Sequence, residues 1–254
     1  MKFKELLKPK LKATLIYFVI SLLIFLIPAA FIVFDWYPQP YFSHAGGWQG
    51  IRIIAIVHLI LGPVLTFIIF NPNKSQKAIN FDFSIITLAQ ISALIWGTAV
   101  IYSQRPIAAV YYNGAFQVII EEVYGEQEIS LDQLSSFSES TPPLIYVRKP
   151  SNPDEMAAVL AWSFTEGKPE PALGILYSPL AEHISDLAYN NSDNIAIIQK
   201  DADSNKDLTN LLHQHNAHIN NVLATLFEGR YGNDWLIISK QGELLGSIQN
   251  HEYN

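Results

Sequence analysis

Three histidines, His213, His215 and His218, form the metal-like grouping of this chain. On a helix His215 and His218 share a face at a three-residue spacing, His213 points elsewhere, and Asp207 is near enough to complete a site. The stretch from His213 to Asn221 is rich in Asn and Gln and lacks the HExxH frame that would supply a base. An ordinary polar helix end is therefore the better reading, and no metal is expected. Glu121-Glu122 and Asp201/Asp203 offer acid–base or calcium chemistry, but consecutive carboxylates on a strand point to opposite faces, which favours a solvated acidic surface. Gly229-Arg230-Tyr231-Gly232 reads as a turn, with Arg230 a candidate buried ion-pair partner. GxSxG, P-loop and dinucleotide fingerprints are absent, as is cysteine, so the residues imply neither a catalytic constellation nor a cofactor.

The elements that carry these residues fall into two regimes. Before Gln104 lie long runs of Ile, Leu, Phe, Val and Ala; after it Glu and Asp become frequent. Residues 1–104 hold eight Lys or Arg against three Asp or Glu, a balance of +5, so the net charge of -7 leaves -12 for residues 105–254. That excess argues against a nucleic-acid surface and against docking on anionic lipid. The apolar runs at about 13–34, 51–70 and 83–103 each approach the roughly 20 residues needed to cross about 30 Å of hydrocarbon. They predict three transmembrane helices within a membrane domain, 1–104, followed by a separate domain, 105–254. The first run exceeds a signal-peptide core and ends in Asp35-Trp36-Tyr37-Pro38, so it reads as a retained anchor.

Lys2, Lys4, Lys8, Lys10 and Lys12 precede the first run, and Lys74 and Lys77 lie between the second and third. The positive-inside rule then places the N-terminus and the 71–82 segment in the cytoplasm, and Arg105 onward outside. Trp36, Tyr37, Tyr41, Phe42 and Trp48 form an aromatic band suited to the outer interface. Gly62-Pro63 should bend the second helix, and His58 and Gln90 are expected to make interhelical hydrogen bonds. With so few ionisable groups inside the spans, transport by three helices alone is improbable.

Beyond the spans, Ile107–Tyr112 and Phe116–Ile120 around Asn113-Gly114-Ala115 predict a hairpin. Further strands are expected at Leu144–Arg148, Leu173–Tyr177, Ile195–Gln199, Trp235–Ser239 and Glu243–Ile248. Helices are expected at Asp154–Trp162, at Ser178–Tyr189 with Ser178 as N-cap and Pro179 in the first turn, and at Ser204–His215. Ser135–Pro143 and Asn190–Asn194 read as loops. The sum is an α+β domain with a mainly antiparallel sheet.

Taken in order, Trp36-Tyr37-Pro38-x-Pro40, Gly46-Gly47, Leu61-Gly62-Pro63-x-Leu65-Thr66, Phe70-Asn71-Pro72-x-Lys74, Asp82, Gln90, Gly97 and Arg105-Pro106 resemble the type IV pilin accessory proteins of Gram-negative bacteria, the FimB-like TfpX/TfpZ group. The resemblance covers about residues 10–120 well and continues faintly through Gly229-Arg230 and Gly242. An Asp commonly stands in the family pattern where His58 does here, so a role tied to that carboxylate does not carry over. The resemblance implies a non-enzymatic inner-membrane protein with a periplasmic domain that assists or modulates assembly of a type IV pilus. Its partners would be the pilin, the inner-membrane assembly machinery, or both, with the sheet edge and the Pro-kinked second span as contact surfaces. Two other classes remain open: a membrane enzyme or modification factor acting on pilin, and a periplasmic ligand sensor working through a partner.

Overall fold

The computed structural model describes residues 3–251, and Lys2 of the basic cluster lies outside them. Helix α1 (Phe3–Phe31) runs on through a π-helical turn, Ile32–Trp36. A short helix α2 (Tyr41–His44) precedes α3 (Gly47–Ala55), which passes through a second π-helical stretch, Ile56–Leu61, into α4 (Gly62–Ile69). Helix α5 covers Gln76–Ser103. Together they give three rods, Leu7–Trp36, Gly47–Ile69 and Gln76–Ser103, each long and apolar enough to cross a membrane. The three runs expected from hydropathy lie within these rods, apart from Phe70, the C-cap of α4.

By packing, the chain forms two compact units. One comprises the chain up to Trp36 with Gly47–Tyr102; the other comprises Tyr37–Gly46 with the chain from Ser103 onward. The division is thus not a single cut, because the segment between the first two rods belongs to the second unit. Tyr37 and Tyr41, expected in an interfacial aromatic band, are instead buried in that unit, at 2% and 0% exposure.

The second unit is built on a seven-stranded sheet: β1 (Pro106–Tyr112), β2 (Ala115–Ile120), β3 (Leu144–Val147), β4 (Tyr177–Pro179), β5 (Val222–Gly229), β6 (Gly232–Ser239) and β7 (Leu244–Gln249), in the order β4-β3-β1-β2-β5-β6-β7. The β1–β3 and β2–β5 pairs are parallel and the rest antiparallel, so the sheet is mixed rather than mainly antiparallel. The β1–β2 and β6–β7 hairpins were legible; the parallel pairs join strands far apart in sequence, which turn chemistry does not encode. Helices α6 (Glu121–Tyr124), α7 (Pro153–Phe164), α8 (Ile184–Ala188), α9 (Asn191–Lys200) and α10 (Ala202–Gln214) complete the unit.

Both faces of the sheet are covered, so its central strands are apolar on both sides. Ala108 and Val110 of β1 pack with Trp162 of α7, while Ala109 and Tyr111 face Tyr41, Leu187 and Phe227. At the other end of the sheet, Ile198 and Leu208 of α9 and α10 close over Ala224, Trp235 and Ile237. Helix α7 starts on the Asn152 cap, whose Oδ1 accepts the Glu155 N–H at 2.9 Å, with Pro153 in the first turn.

Several local expectations are corrected. Residues 195–199, expected as a strand, and 190–194, expected as a loop, lie largely in α9. The cause is tertiary: β2 pairs with β5 only at 226–228, so the edge of 222–224 that faces away from β6 has no strand partner. The Asn191 side chain accepts from Ala224 N (2.8 Å) and donates to Val222 O (3.2 Å), and Asn194 donates to Ala224 O (2.7 Å). Two asparagine amides of a helix thereby take the place of a strand partner. The expected helix from Ser178 begins only at Ile184; Tyr177–Pro179 is the edge strand, where a proline costs no ladder bond, and Ser178 Oγ instead meets His183 Nε2 at 2.9 Å. Leu173–Tyr177 is mostly a 3-10 turn, Gly174–Leu176, rather than a strand. Arg230 is exposed at its turn, over the Tyr231 ring, and is not a buried ion-pair partner.

Candidate functional site

The residues first considered for chemistry do not converge. His213 lies in the last turn of α10, His215 caps it, His218 precedes the next 3-10 turn, and Asp207 stays inside the helix. Among the described residues no group of three or more His, Asp or Glu is placed to hold a metal. Glu121 and Glu122 open α6 rather than a strand; Glu121 pairs with Arg105 (3.3 Å) and Glu122 accepts from Gln104 (2.9 Å). Asp201 is the N-cap of α10, and the Ser204 N–H at 2.7 Å holds its carboxyl below the usual range.

The family-motif residues, in contrast, gather at three places. Within the helical unit, Gln90 is the centre of a polar node. In a π-helical stretch the carbonyl of residue i accepts from the N–H of residue i+5. For His58 that donor would be residue 63, a proline, which has none. The His58 carbonyl takes Nε2 of Gln90 instead, at 3.1 Å, and Tyr17 of α1 donates to Oε1 of the same amide. The expected interhelical bond of Gln90 is therefore present, His58 takes part through its carbonyl rather than its ring, and one amide ties all three rods together. Gly62 is required beside it, because a Cβ there would overlap the Gln90 amide.

The second place is the end of α4. Asn71 Oδ1 accepts the Asn73 N–H at 3.0 Å, an Asx turn that carries Pro72, and Lys74 pairs with Asp82 of α5. Lys10 Nζ donates to the carbonyls of Phe67 (3.0 Å) and Ile68 (3.2 Å), capping the negative end of the helix dipole. At the opposite end of the helical unit, Trp36 stacks edge-on against Tyr102 at 5.0 Å.

The third place is in the second unit, where residues 37–46 form a strap along the β5–β6 hairpin. The Tyr41 ring meets Phe227 edge-on at 5.3 Å, the Tyr231 N–H donates to His44 O at 3.0 Å, and His44 Nε2 lies 3.0 Å from Asp234 Oδ1. A Cβ on Gly229 would lie 2.7 Å from His44 O and 2.8 Å from Gly232 O, so only glycine lets the hairpin close on the strap. Gly46 leaves it with φ 111°, a left-handed conformation glycine adopts freely. Burial pushes the Tyr37 hydroxyl up to about 12 despite the nearby Arg105, and raises the Asp234 carboxyl despite His44. Pro38 and Pro40 supply carbonyls that start α2, accepting from Phe42 and from Ser43 and His44, and Pro106 begins β1. Sequence reasoning did not find the His44–Asp234 pair; the available signal was polar residues in otherwise apolar or aromatic surroundings, Asp234 directly before Trp235-Leu236-Ile237-Ile238.

Three long apolar helices joined to a mixed-sheet unit define the architecture of the chain. Residues 5–46 match the family model described as Fimbrial assembly protein FimB. A fimbrial assembly protein of Dichelobacter nodosus, serogroups C1 and C2, is 36% identical over 119 residues, 47% of this chain and 87% of the relative. Another, of serogroup I, is 32% identical over 177 residues, 68% of this chain and 69% of the relative. The chain belongs to this fimbrial assembly protein family. No solved structure matches it.

Proposed function

We propose that this chain is a multi-pass inner-membrane protein that assists type IV pilus assembly without catalysing a reaction. Its N-terminus is cytoplasmic, residues 1–104 supply the membrane domain, and residues 105–254, joined by the 37–46 strap, work in the periplasm on pilin or the assembly machinery. The observation that carries the reading is family membership, since relatives sharing 32–36% identity are named as fimbrial assembly proteins. Orientation is supported by the lysines: Lys10 reaches the carbonyls that end the second rod, so the basic N-terminal segment and the Lys74/Lys77 segment share one end of the helical unit.

Because the chain has no cysteine, its topology can be read directly. In intact spheroplasts, Gln241→Cys is expected to react with a membrane-impermeant maleimide and Asn73→Cys only after lysis; the reverse pattern would overturn the orientation. For the function, deletion of the gene should remove most surface pili and twitching, restored by the intact chain. Unchanged piliation would sink the assembly role.

A further inference from the structure

At the carboxyl ends of the adjacent parallel strands β1 and β3 lies an open cleft of about 460 Å³. In sheets with covered faces, crevices at the carboxyl ends of parallel strands are where ligands bind, because the covering elements from the two faces part there. Glu170 enters from a 3-10 turn on one face of the sheet and Asp186 and Tyr189 from the α8 segment on the other. Tyr112 donates to Glu170 (2.9 Å) and Tyr146 donates to Asp186 (2.6 Å), while His183 stacks on the Tyr146 ring at 3.9 Å with Nδ1 4.0 Å from Asp186. Burial and the Asp186 bond push the Tyr146 hydroxyl up to about 12, so it remains a donor.

The charges decide what fits. Arg148, on the cleft wall, is neutralised by a bidentate pair with Glu155 at 2.7 Å and a bond to Ile175 O at 3.0 Å. Lys149 is exposed at the rim. The two carboxylates each accept one phenolic hydrogen bond and keep further lone pairs, so an anion is repelled and a cation can be bonded. Tyr189, 87% exposed, offers a free ring face beside them for cation–π contact. Tyrosine-lined, partly charged clefts of this kind are the composition of protein-recognition surfaces.

We infer that this cleft receives a lysine or arginine side chain of an extended segment of a partner protein, held by Glu170, Asp186 and Tyr189. The identity of that partner as part of the pilus system rests on the function proposed above; the chemistry of the cleft does not. The test uses the full chain in phosphatidylcholine nanodiscs, titrated calorimetrically with N-acetyl-trilysine amide. Saturable one-to-one binding is expected, weakened at least about tenfold by Glu170→Gln with Asp186→Asn, as loss of charge-assisted bonds predicts. Tyr189→Ala, at an exposed ring, should weaken it severalfold without altering the melting temperature. Asp193→Asn with Asp207→Asn removes the same charge from exposed helix positions and should leave binding within about twofold.

Equal weakening by both pairs would mean that the peptide senses only overall acidity, and would overturn the assignment. So would binding of chitotriose, but not trilysine, that depends on Tyr189, which would make the cleft a saccharide site. In the deletion strain, Glu170→Gln with Asp186→Asn should fail to restore pili; full restoration overturns the cleft's role while the assembly function stands. A deletion without phenotype would do the opposite.

Discussion

A fragment beginning at Ser103 should be markedly less stable than the same fragment preceded by residues 37–46 through a short Gly-Ser linker. In the whole protein those ten residues belong to the second unit, and they bring Tyr37 and Tyr41 into its interior. Without them the face formed by Phe227, Leu223 and Leu236 loses the fully buried Tyr41 ring, and the Tyr231 N–H and Asp234 lose His44. Removing one large buried aromatic costs about 3–5 kcal/mol. At about 2–4 °C per kcal/mol for a unit of this size, the melting temperature should fall by roughly 10 °C or more. The exposed apolar face should also bind a hydrophobic dye. Circular dichroism of the two fragments checks this; indistinguishable melting curves would show that the strap is only laid on the sheet. Gly229→Ala, which drives a methyl into the His44 carbonyl, should produce a smaller loss of the same kind, about 1–3 kcal/mol.

The strap also shows where the sequence stops being informative. The three rods, the β1–β2 hairpin and the β6–β7 hairpin are local objects, each written in a run of hydropathy or a turn between two apolar segments, and they were legible. Reading Trp36 to Trp48 as one interfacial aromatic band failed because a buried tyrosine and an interfacial tyrosine have the same composition; only the distant Phe227 and Asp234 distinguish them. Residues Ile195, Ile197 and Ile198 look like a strand by side-chain type, and it is Asn191 and Asn194, clasping the backbone of β5, that fix them in a helix. Strand β5 itself was overlooked although Val222 to Phe227 is apolar throughout except Thr225, ahead of the Gly229–Gly232 turn. Its partner β2 lies more than a hundred residues away in sequence, as the Gln117–Glu228 bond shows. Of the candidate site, the motif residues were found by resemblance, but what each does became visible only from the backbone: a missing proline N–H, a glycine with no room for a methyl, a carbonyl in need of a donor.

That last arrangement makes a quantitative expectation. Gly62→Ala places a methyl where the Gln90 amide sits, and the amide can yield only by giving up its bond to the His58 carbonyl, which Pro63 has already deprived of a backbone donor. An orphaned carbonyl in an apolar helix interior is costly, and interhelical hydrogen bonds in such surroundings are worth about 0.6–2 kcal/mol. Gly62→Ala should therefore destabilise the helical unit by about 2 kcal/mol, although alanine is the better helix former. Gln90→Ala should cost a similar amount, because it also orphans the His58 carbonyl and removes the acceptor of Tyr17. The double variant is where the geometry is decisive: with Gln90 shortened the methyl of Ala at 62 has room, so the second substitution should add almost nothing. Steric trapping or urea unfolding in bilayer mimics can measure the four-member cycle, with a coupling of 1 kcal/mol or more expected for residues in direct contact, on the order found for such pairs. Additive effects would mean that Gln90 does not depend on the glycine, and that the π-helical stretch ahead of Pro63 holds itself without the third helix.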